Sequence, residues 1–187
     1  VSRRGFLAGA GALAASPAVT YGQAQRVFKV ALVGCGGRGA DSVLDIMAAA
    51  ERLGHKAVLV GAADYFREKD LNVCNLHGCD AKFAFGGADG YKKIMEGDAE
   101  IVLLAAPPIF RPRHAEACVK AGKHIFAEKP VATDPAGLRH FLKTAAAAKA
   151  AKLSILSGTC HRHNNRALRQ IAPVRNGVIG EIRGGVV

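Results

Sequence analysis

The residues best placed for chemistry in this 187-residue chain are an acid, a base and a proline in succession, Glu128, Lys129 and Pro130. They directly follow residues 123–127, whose apolar pattern predicts a buried strand. A lysine at a strand end, inside a cleft, can transfer a proton or hold a substrate hydroxyl group, and Glu128 could orient it. Pro130 fixes the backbone and is compatible with a cis bond. By position alone, a solvated ion pair in a loop explains Glu128 and Lys129 equally well.

A glycine-rich segment at residues 34–39 is the second candidate site, because it has the pattern G-x-G-x-x-G directly after a predicted strand. Gly34 would let the backbone turn sharply, and Gly36 would let a diphosphate approach the main chain. Gly39 would let the following helix pack closely on the strand. The helix N-terminus presents free N–H groups to phosphates, and Arg38 could add a direct charge contact.

Asp64 ends the next predicted strand, residues 56–63. A carboxylate there can accept hydrogen bonds from both hydroxyls of an adenosine ribose. It would also repel a 2′-phosphate, which favours NAD over NADP, although Arg67 is close enough in sequence to weaken that preference. Strand, glycine loop, helix and acid in this order predict a dinucleotide-binding βαβ unit.

Strands and helices then alternate as far as residue 158, which predicts an α/β fold, a Rossmann-type doubly wound parallel sheet over residues 25–158. Ligands bind such sheets at the carboxyl ends of the strands, where Pro107, Pro108 and Glu128 also lie. The remaining predicted strands are residues 26–33, 82–85, 100–106 and 153–157, and the predicted helices are residues 41–50, 65–78, 89–96, 113–121 and 134–151.

Residues 1–24 open with Ser-Arg-Arg-Gly-Phe-Leu, continue through a weakly apolar Ala/Gly stretch and end in small residues. This segment resembles a twin-arginine signal peptide, and it predicts export of the folded protein to a bacterial periplasm. Outside this segment, no apolar run of the sequence is long enough to be a stable membrane anchor.

The formal net charge is +11, of which Arg3 and Arg4 contribute two charges. The basic residues are scattered and no nucleic-acid motif is present, so the charge is attributed to anionic ligands or solubility rather than to nucleic acid. Neither Cys/His group has the ligand spacing of a zinc site, and Cys74 to Cys79 is predicted to lie within a helix, so no metal is expected. These two groups are Cys74, His77 and Cys79, and Cys160, His161 and His163.

Several motifs in order resemble the glucose–fructose oxidoreductase, inositol dehydrogenase and MocA family. They are Ala-Pro-Pro at 106–108, His-Ala-Glu-Ala at 114–117, Ala-Gly-Lys-His at 121–124, Glu-Lys-Pro at 128–130, Gly-Thr-Cys-His-Arg-His at 158–163 and Asn-Gly-Val-Ile-Gly-Glu-Ile at 176–182. The resemblance implies hydride transfer between NAD(P) and a hydroxyl carbon of a sugar, cyclitol or related polyol. It makes Lys129 the proton-handling catalytic residue. The resemblance places Glu128 and Pro108 beside the nicotinamide ribose and Arg162 near cofactor or substrate. Together with the glycine loop and Asp64, the predicted cofactor-binding set is Gly34, Gly36, Gly37, Arg38, Gly39, Asp64, Pro107, Pro108, Glu128, Lys129 and Arg162.

The chain departs from the family in two places. The spacing from Pro108 to His114 is longer than usual, which favours helix packing as the role of His114, while His163 could be a site residue or a helix cap. Residues 159–187 read as the start of a second α/β substrate domain, with a first strand at 181–187. The expectation is therefore a truncated cofactor-binding half of a longer homo-oligomer, with little turnover alone. The alternatives are an NAD-dependent glycosidase on this scaffold and a non-catalytic dinucleotide- or sugar-binding protein.

Overall fold

A computed structural model describes residues 24–185. The signal peptide predicted at residues 1–24 lies almost wholly outside these described residues and stays a prediction. The predicted parallel α/β sheet is confirmed: six strands lie in the order β3-β2-β1-β4-β5-β6, and every neighbouring pair is parallel. This is the strand order of a doubly wound dinucleotide-binding fold. The strands are β1 (Val27–Val33), β2 (Lys56–Asp64), β3 (Ala84–Gly86), β4 (Ile101–Leu104), β5 (His124–Glu128) and β6 (Ile155–Gly158).

Within residues 24–185, five helices connect the strands and cover both faces of the sheet, and a sixth follows β6. They are α1 (Gly37–Arg52), α2 (Arg67–Leu76), α3 (Gly90–Glu96), α4 (Arg111–Lys120), α5 (Pro135–Ala150) and α6 (Asn165–Arg175). Short 3₁₀ turns lie at Ala81–Phe83, Pro108–Phe110 and Cys160–His163. No helix among residues 24–185 is long and apolar enough to cross a membrane.

The core lies on both sides of the sheet because successive strand residues point to opposite faces. Val33 and Leu104 belong to the cluster on one face, whereas Leu32 and Leu103 belong to the cluster on the other. All four side chains are almost completely buried. The continuous apolar runs of β1 and β4 are therefore explained by burial on two faces, as parallel sheets require.

Three element predictions were wrong in detail. The strand expected at 82–85 begins only at Ala84, because the Asp80 side chain accepts the Lys82 N–H and starts a 3₁₀ turn. Cys79 lies beyond the end of α2 rather than inside that helix. The strand expected at 181–187 is absent from its described part, 181–185, where no neighbouring strand within residues 24–185 supplies ladder hydrogen bonds.

The chain after β6 differs from the prediction in one further respect. Helix α6 was not predicted, and its N-cap is Asn164, whose side chain accepts the N–H groups of Arg166 and Ala167. His163 is therefore not the helix cap, since it lies in the preceding 3₁₀ turn. Asparagine takes this place because its short side-chain oxygen reaches the free amides of a first helical turn.

Candidate functional site

One cleft of about 970 Å³ runs along the carboxyl ends of the strands. It collects residues that are far apart in sequence: the glycine loop after β1, the end of β2, the loop after β4 and the loop after β5. The predicted site residues on its walls are Gly34, Gly36, Arg38, Asp64, Pro107, Pro108, Glu128 and Lys129. The structure thus joins the two candidate sites of the sequence into a single one.

The glycine loop turns between β1 and α1, and its glycines serve different purposes. Gly34 has φ +98°, and a Cβ there would lie 2.2 Å from the Ala106 nitrogen, so only glycine fits. A Cβ on Gly39 would lie 2.0 Å from the Gly34 carbonyl oxygen, which is the close packing of helix and strand that the motif predicts. At Gly36 and Gly37, a Cβ would meet no atom of the described chain within 4 Å.

The N-terminus of α1 opens directly from this loop. Among the described residues no side chain caps the helix, and its first turn contains no acidic residue. Its first N–H groups and the positive end of its dipole therefore stay available to an anion. Gly36, which is the N-cap residue, lines the cleft. An uncapped helix N-terminus beside a glycine is the arrangement that binds phosphate groups in other proteins.

Asp64 at the end of β2 is tied to the glycine loop. Its Oδ2 accepts the Cys35 N–H at 2.7 Å, and its Oδ1 accepts the Phe66 N–H at 3.0 Å. Each carboxylate oxygen has further lone pairs, so the group can still accept ribose hydroxyls from the cleft. The two backbone donors fix the carboxylate in place beside the turn that would bind phosphates.

Two cations near Asp64 have different orientations. Arg67 donates to the carbonyl oxygen of Ala84 and pairs with the buried Asp70 at 3.1 Å, so its guanidinium supports β3 and is not part of the cleft wall. Lys69 does line the cleft, with its Nζ 4.6 Å from the centre of the Phe66 ring. Of these two cations, Lys69 rather than Arg67 therefore lies on the wall of the cleft that Asp64 also lines.

Glu128 at the end of β5 is a buried carboxylate between two arginines. Its Oε1 accepts Arg38 Nε at 2.7 Å, and its charge acts on Arg111, where it opposes the lowering of the arginine pKa by burial. Arg38 also reaches Asp45 at 3.3 Å. Arg38 was predicted to contact a diphosphate directly, and the structure shows it linking the phosphate loop to β5.

Lys129 lies on the cleft wall, and the peptide bond to Pro130 is cis. The Lys129 residue is exposed, and its ammonium forms no hydrogen bond or ion pair with any of residues 24–185. Its backbone N–H donates to Glu128 Oε2 at 3.3 Å. An exposed ammonium on a fixed backbone can reach a substrate hydroxyl placed in the cleft.

Sequence reasoning missed the wall between the ends of β4 and β5, which is formed by the first turn of α4. Arg111 is only 3% exposed, and His114 is also buried, with its ring tilted against Tyr91 at a centroid distance of 4.3 Å and stacked on Phe110 at 6.0 Å. Burial, and then the charges of two neighbouring arginines, lower the pKa of His114 to about 4. The extra length before His114 was the only sequence signal at this place.

Three of the predicted cofactor residues do not line the cleft. Gly39 lies beneath the loop as packing, and Gly37 is outside the cleft wall at the start of α1. Arg162 lies in the 3₁₀ turn after β6, whose first residue, Cys160, does reach the cleft. No group of three or more His, Cys, Asp or Glu side chains in residues 24–185 is arranged to hold a metal ion.

Residues 28–155 match the model of a protein family described as an oxidoreductase family with an NAD-binding Rossmann fold. The matched range includes the glycine loop, Asp64, Glu128 and Lys129. The chain belongs to this oxidoreductase family. The resemblance inferred from the ordered motifs is thereby confirmed, and so is the dinucleotide-binding fold.

Two curated relatives of this family member carry the names of sugar and cyclitol enzymes. The chain is 28% identical over 156 residues to an inositol 2-dehydrogenase of Rhodococcus jostii. This alignment covers 83% of the chain and 40% of the relative. The chain is 35% identical over 104 residues to a dTDP-3,4-didehydro-2,6-dideoxy-alpha-D-glucose 3-reductase of Actinomadura kijaniata, covering 53% and 30%. The chain therefore spans less than half the length of these relatives.

Solved structures share the fold of this family member. The apo scyllo-inositol dehydrogenase of Lactobacillus casei has a TM-score of 0.66 at 24% identity, over 84% of this chain and 44% of that one. The WlbA dehydrogenase of Bordetella pertussis, in complex with NADH and UDP-GlcNAcA, has a TM-score of 0.64 at 24% identity, over 82% and 42%. A 3-ketoreductase of Actinomadura kijaniata, in complex with NADP and TDP-benzene, has a TM-score of 0.65 at 22% identity, over 83% and 44%.

Proposed function

We propose that this chain is the cofactor-binding part of an NAD(P)-dependent oxidoreductase acting on a hydroxyl carbon of a sugar, cyclitol or related polyol. One observation carries the proposal: the glycine loop and Lys129 face the same cleft. A site that binds a dinucleotide at one end and presents a free ammonium at the other can combine hydride and proton transfer. The printed names of the relatives, an inositol 2-dehydrogenase and a deoxyglucose 3-reductase, support the substrate class.

The described residues fit a nicotinamide dinucleotide. The open N-terminus of α1 would hold the diphosphate beside Gly36, and Asp64 would accept the hydroxyls of the adenosine ribose. Pro108 and Glu128 would lie beside the nicotinamide half, where the cleft passes the ends of β4 and β5. A bound nicotinamide supplies the acceptor or donor of the hydride.

Lys129 would handle the proton of the reaction. In the oxidative direction, Nζ of the neutral amine accepts the proton of the substrate hydroxyl as the carbonyl forms, and in the reductive direction the ammonium returns it. Glu128 would keep the Lys129 backbone in place, because its carboxylate accepts both the Lys129 N–H and Arg38 Nε. The buried rings of Tyr91 and His114 would exclude water from the wall between the strands.

NAD is the proposed cofactor, with NADP the weaker ligand. The Asp64 carboxylate, fixed by two backbone donors, would repel a 2′-phosphate, while Arg67 is engaged with Asp70 and Ala84. Lys69 is the cation positioned to oppose this preference. The related structures bind NADH in one case and NADP in another, so this choice depends on the chain's own residues.

Calorimetric titration of the full-length protein with NAD and NADP tests the cofactor proposal. The expected result is a Kd for NAD at least about 10-fold lower, equivalent to about 1.4 kcal/mol. Lys69→Gln should widen the difference by weakening NADP alone, while Lys143→Gln, a change of an exposed lysine on α5, should leave both affinities as they are. Tighter binding of NADP would reverse the assignment of Asp64, and no binding of either would end the enzymatic proposal.

Turnover on a panel of cyclitols, aldoses and nucleotide-linked sugars tests the reaction itself. The expected result is formation of reduced cofactor in proportion to substrate oxidised. Cleavage of a glycoside with no net change in the cofactor would instead identify a glycosidase. Binding of NAD with no chemistry on any class would identify a non-catalytic binding protein.

We also propose export by the twin-arginine route, on the basis of the opening sequence of residues 1–24. A fusion of this segment to a reporter that is active only in the periplasm should give a signal, and Arg3→Lys with Arg4→Lys should abolish it. A signal that survives the double substitution would contradict the route.

A further inference from the structure

Arg111 is a charged side chain buried at the first position of α4, and such burial requires compensation by specific partners. Its Nη2 donates to the carbonyl oxygen of Ala106 at 2.6 Å, and its Nη1 donates to the carbonyl oxygen of Pro130. Ala106 follows β4, and Pro130 follows Lys129 in the loop after β5. The guanidinium therefore joins the carboxyl ends of two neighbouring strands at the wall of the cleft.

The contact with Pro130 matters because Pro130 directly follows Lys129, the residue proposed to transfer the proton. On one side of Lys129, the Glu128 carboxylate is held by Arg38 Nε at 2.7 Å. On the other side, the Pro130 carbonyl is held by Arg111. The Lys129 backbone is thus fixed at both ends, while its ammonium has no partner among residues 24–185.

The shape of the side chain explains why arginine is used here. A planar guanidinium presents several N–H donors in a rigid fork and can serve two carbonyl oxygens at once, whereas a lysine ammonium is a compact point charge on a flexible stem. An apolar residue of similar size would fill the same volume and leave the Pro130 carbonyl without its donor. The hydrogen bonds, and not the packing alone, hold the loop.

We propose that Arg111 is a positioning residue for Lys129, which sets the place from which the lysine Nζ meets the substrate hydroxyl. The inference rests on the function proposed above for Lys129. A displacement of a catalytic group by about 1 Å can lower a rate about 100-fold, which makes such a clamp effective.

The test compares Arg111→Met and Arg111→Lys with Arg113→Ala in the full-length protein. Arg113 is an exposed arginine on the same helix and serves as the matched control. At saturating NAD we expect kcat to fall about 10- to 100-fold in Arg111→Met and less in Arg111→Lys. We expect the Kd for NAD to stay within about 2-fold. We also expect the pH profile of kcat to shift, because a displaced Lys129 ammonium lies at different distances from the charged groups of the cleft.

A purely structural role predicts a different pattern. If Arg111→Met lowered the melting temperature but left kcat per folded molecule and its pH profile unchanged, the inference would be overturned. Should Arg111→Met fail to fold, Arg111→Lys decides the question: partial loss of kcat with a shifted pH profile supports the clamp, and an unchanged profile refutes it.

Failure of the proposed function is distinguishable from failure of this inference. A wild-type protein that oxidises no sugar or cyclitol refutes the function, and the clamp is then judged by amide hydrogen exchange over residues 128–133. Faster exchange in this loop in Arg111→Lys, with α4 itself unchanged, supports the clamp. Exchange equal to that of the wild type and of Arg113→Ala overturns it.

Discussion

The two ends of the cleft hold their charged groups in opposite ways. At the end of β2, the Asp64 carboxylate is fixed by backbone N–H groups of Cys35 and Phe66, one from the glycine loop and one from its own turn. At the end of β5, Glu128 and the Pro130 carbonyl are fixed by the arginine side chains of Arg38 and Arg111. We call the end proposed to bind the nucleotide the nucleotide end, and the end proposed for proton transfer the reaction end. Main-chain N–H groups fix the first, and long side chains fix the second.

This difference determines what each end tolerates. Backbone donors are set by the fold and change little with the identity of the residue that supplies them. Guanidinium donors disappear with a single substitution and come from residues that are remote in sequence, 90 positions for Arg38 and Glu128. We therefore expect substitutions at the nucleotide end to act through backbone fit and those at the reaction end to act through chemistry.

Removal of Lys129 tests the reaction end with the largest expected effect. Lys129→Ala in the full-length protein should lower kcat by about 10²- to 10⁴-fold, because a positioned proton donor and acceptor is lost. The Kd for NAD should stay near the wild-type value, since the exposed ammonium binds none of the glycine loop. Steady-state kinetics together with calorimetry measure both quantities. Lys143→Ala is the control and should keep the wild-type kcat. A wild-type kcat in Lys129→Ala would instead remove Lys129 from the mechanism.

Two glycines of one loop test the nucleotide end. Gly34→Ala should lower the free energy of unfolding by at least about 3 kcal/mol, because φ is +98° and the new Cβ would lie 2.2 Å from the Ala106 nitrogen. Gly36→Ala should change stability by less than about 0.5 kcal/mol. It should nevertheless weaken NAD binding about 10-fold, because the methyl group points to where a diphosphate approaches. Denaturant titration measures the stability of both variants, and calorimetry measures their affinity for NAD. If the two variants lost stability and affinity to the same extent, the two glycines would not have the separate roles described here.

His114, on the wall between the two ends, gives the effect that depends most on conditions. The folded protein keeps its imidazole neutral to a pKa of about 4, whereas the unfolded chain takes up a proton near pH 6.5. The contribution of neutral His114 to the free energy of unfolding should therefore be complete above pH 6.5. The free energy of unfolding should fall by up to about 3 kcal/mol as the pH drops to 4. His114→Phe keeps the ring between Tyr91 and Phe110 and should remove this part of the pH dependence. Denaturant midpoints at pH 7 and pH 4 for both proteins measure the difference, and parallel curves would show that His114 does not titrate.

Most of the fold could be predicted from the sequence because the information is local. The apolar run of β4 and the glycine loop after β1 determine their own structures, since burial on two faces and a positive φ each leave few residue choices. The short strand β3 could not be placed correctly, because its start depends on a single side-chain hydrogen bond from Asp80. The missing strand at 181–185 shows the other limit, since a strand exists only when a neighbour pairs with it.

The candidate site was predictable to the same extent. Asp64 and Lys129 could be selected because they directly follow predicted strands, whose carboxyl ends meet at one edge of the sheet. The arginine contacts could not be predicted, because nothing in the spacing of Arg38 or Arg111 specifies a partner across the cleft. Lys69 was missed because its role depends on Arg67 turning towards β3.

The glycine at the end of β6 has a consequence for the negative charge of Glu128. A Cβ on Gly158 would lie 2.9 Å from the Glu128 Cδ, so the smallest residue of the chain determines where that carboxylate can rest. Added volume at this point, with no change in ionisation, would push the anion away from β6 and alter the electric field along the cleft. A larger uncharged side chain at position 158 would therefore change the position of a charge on the neighbouring strand by its volume alone.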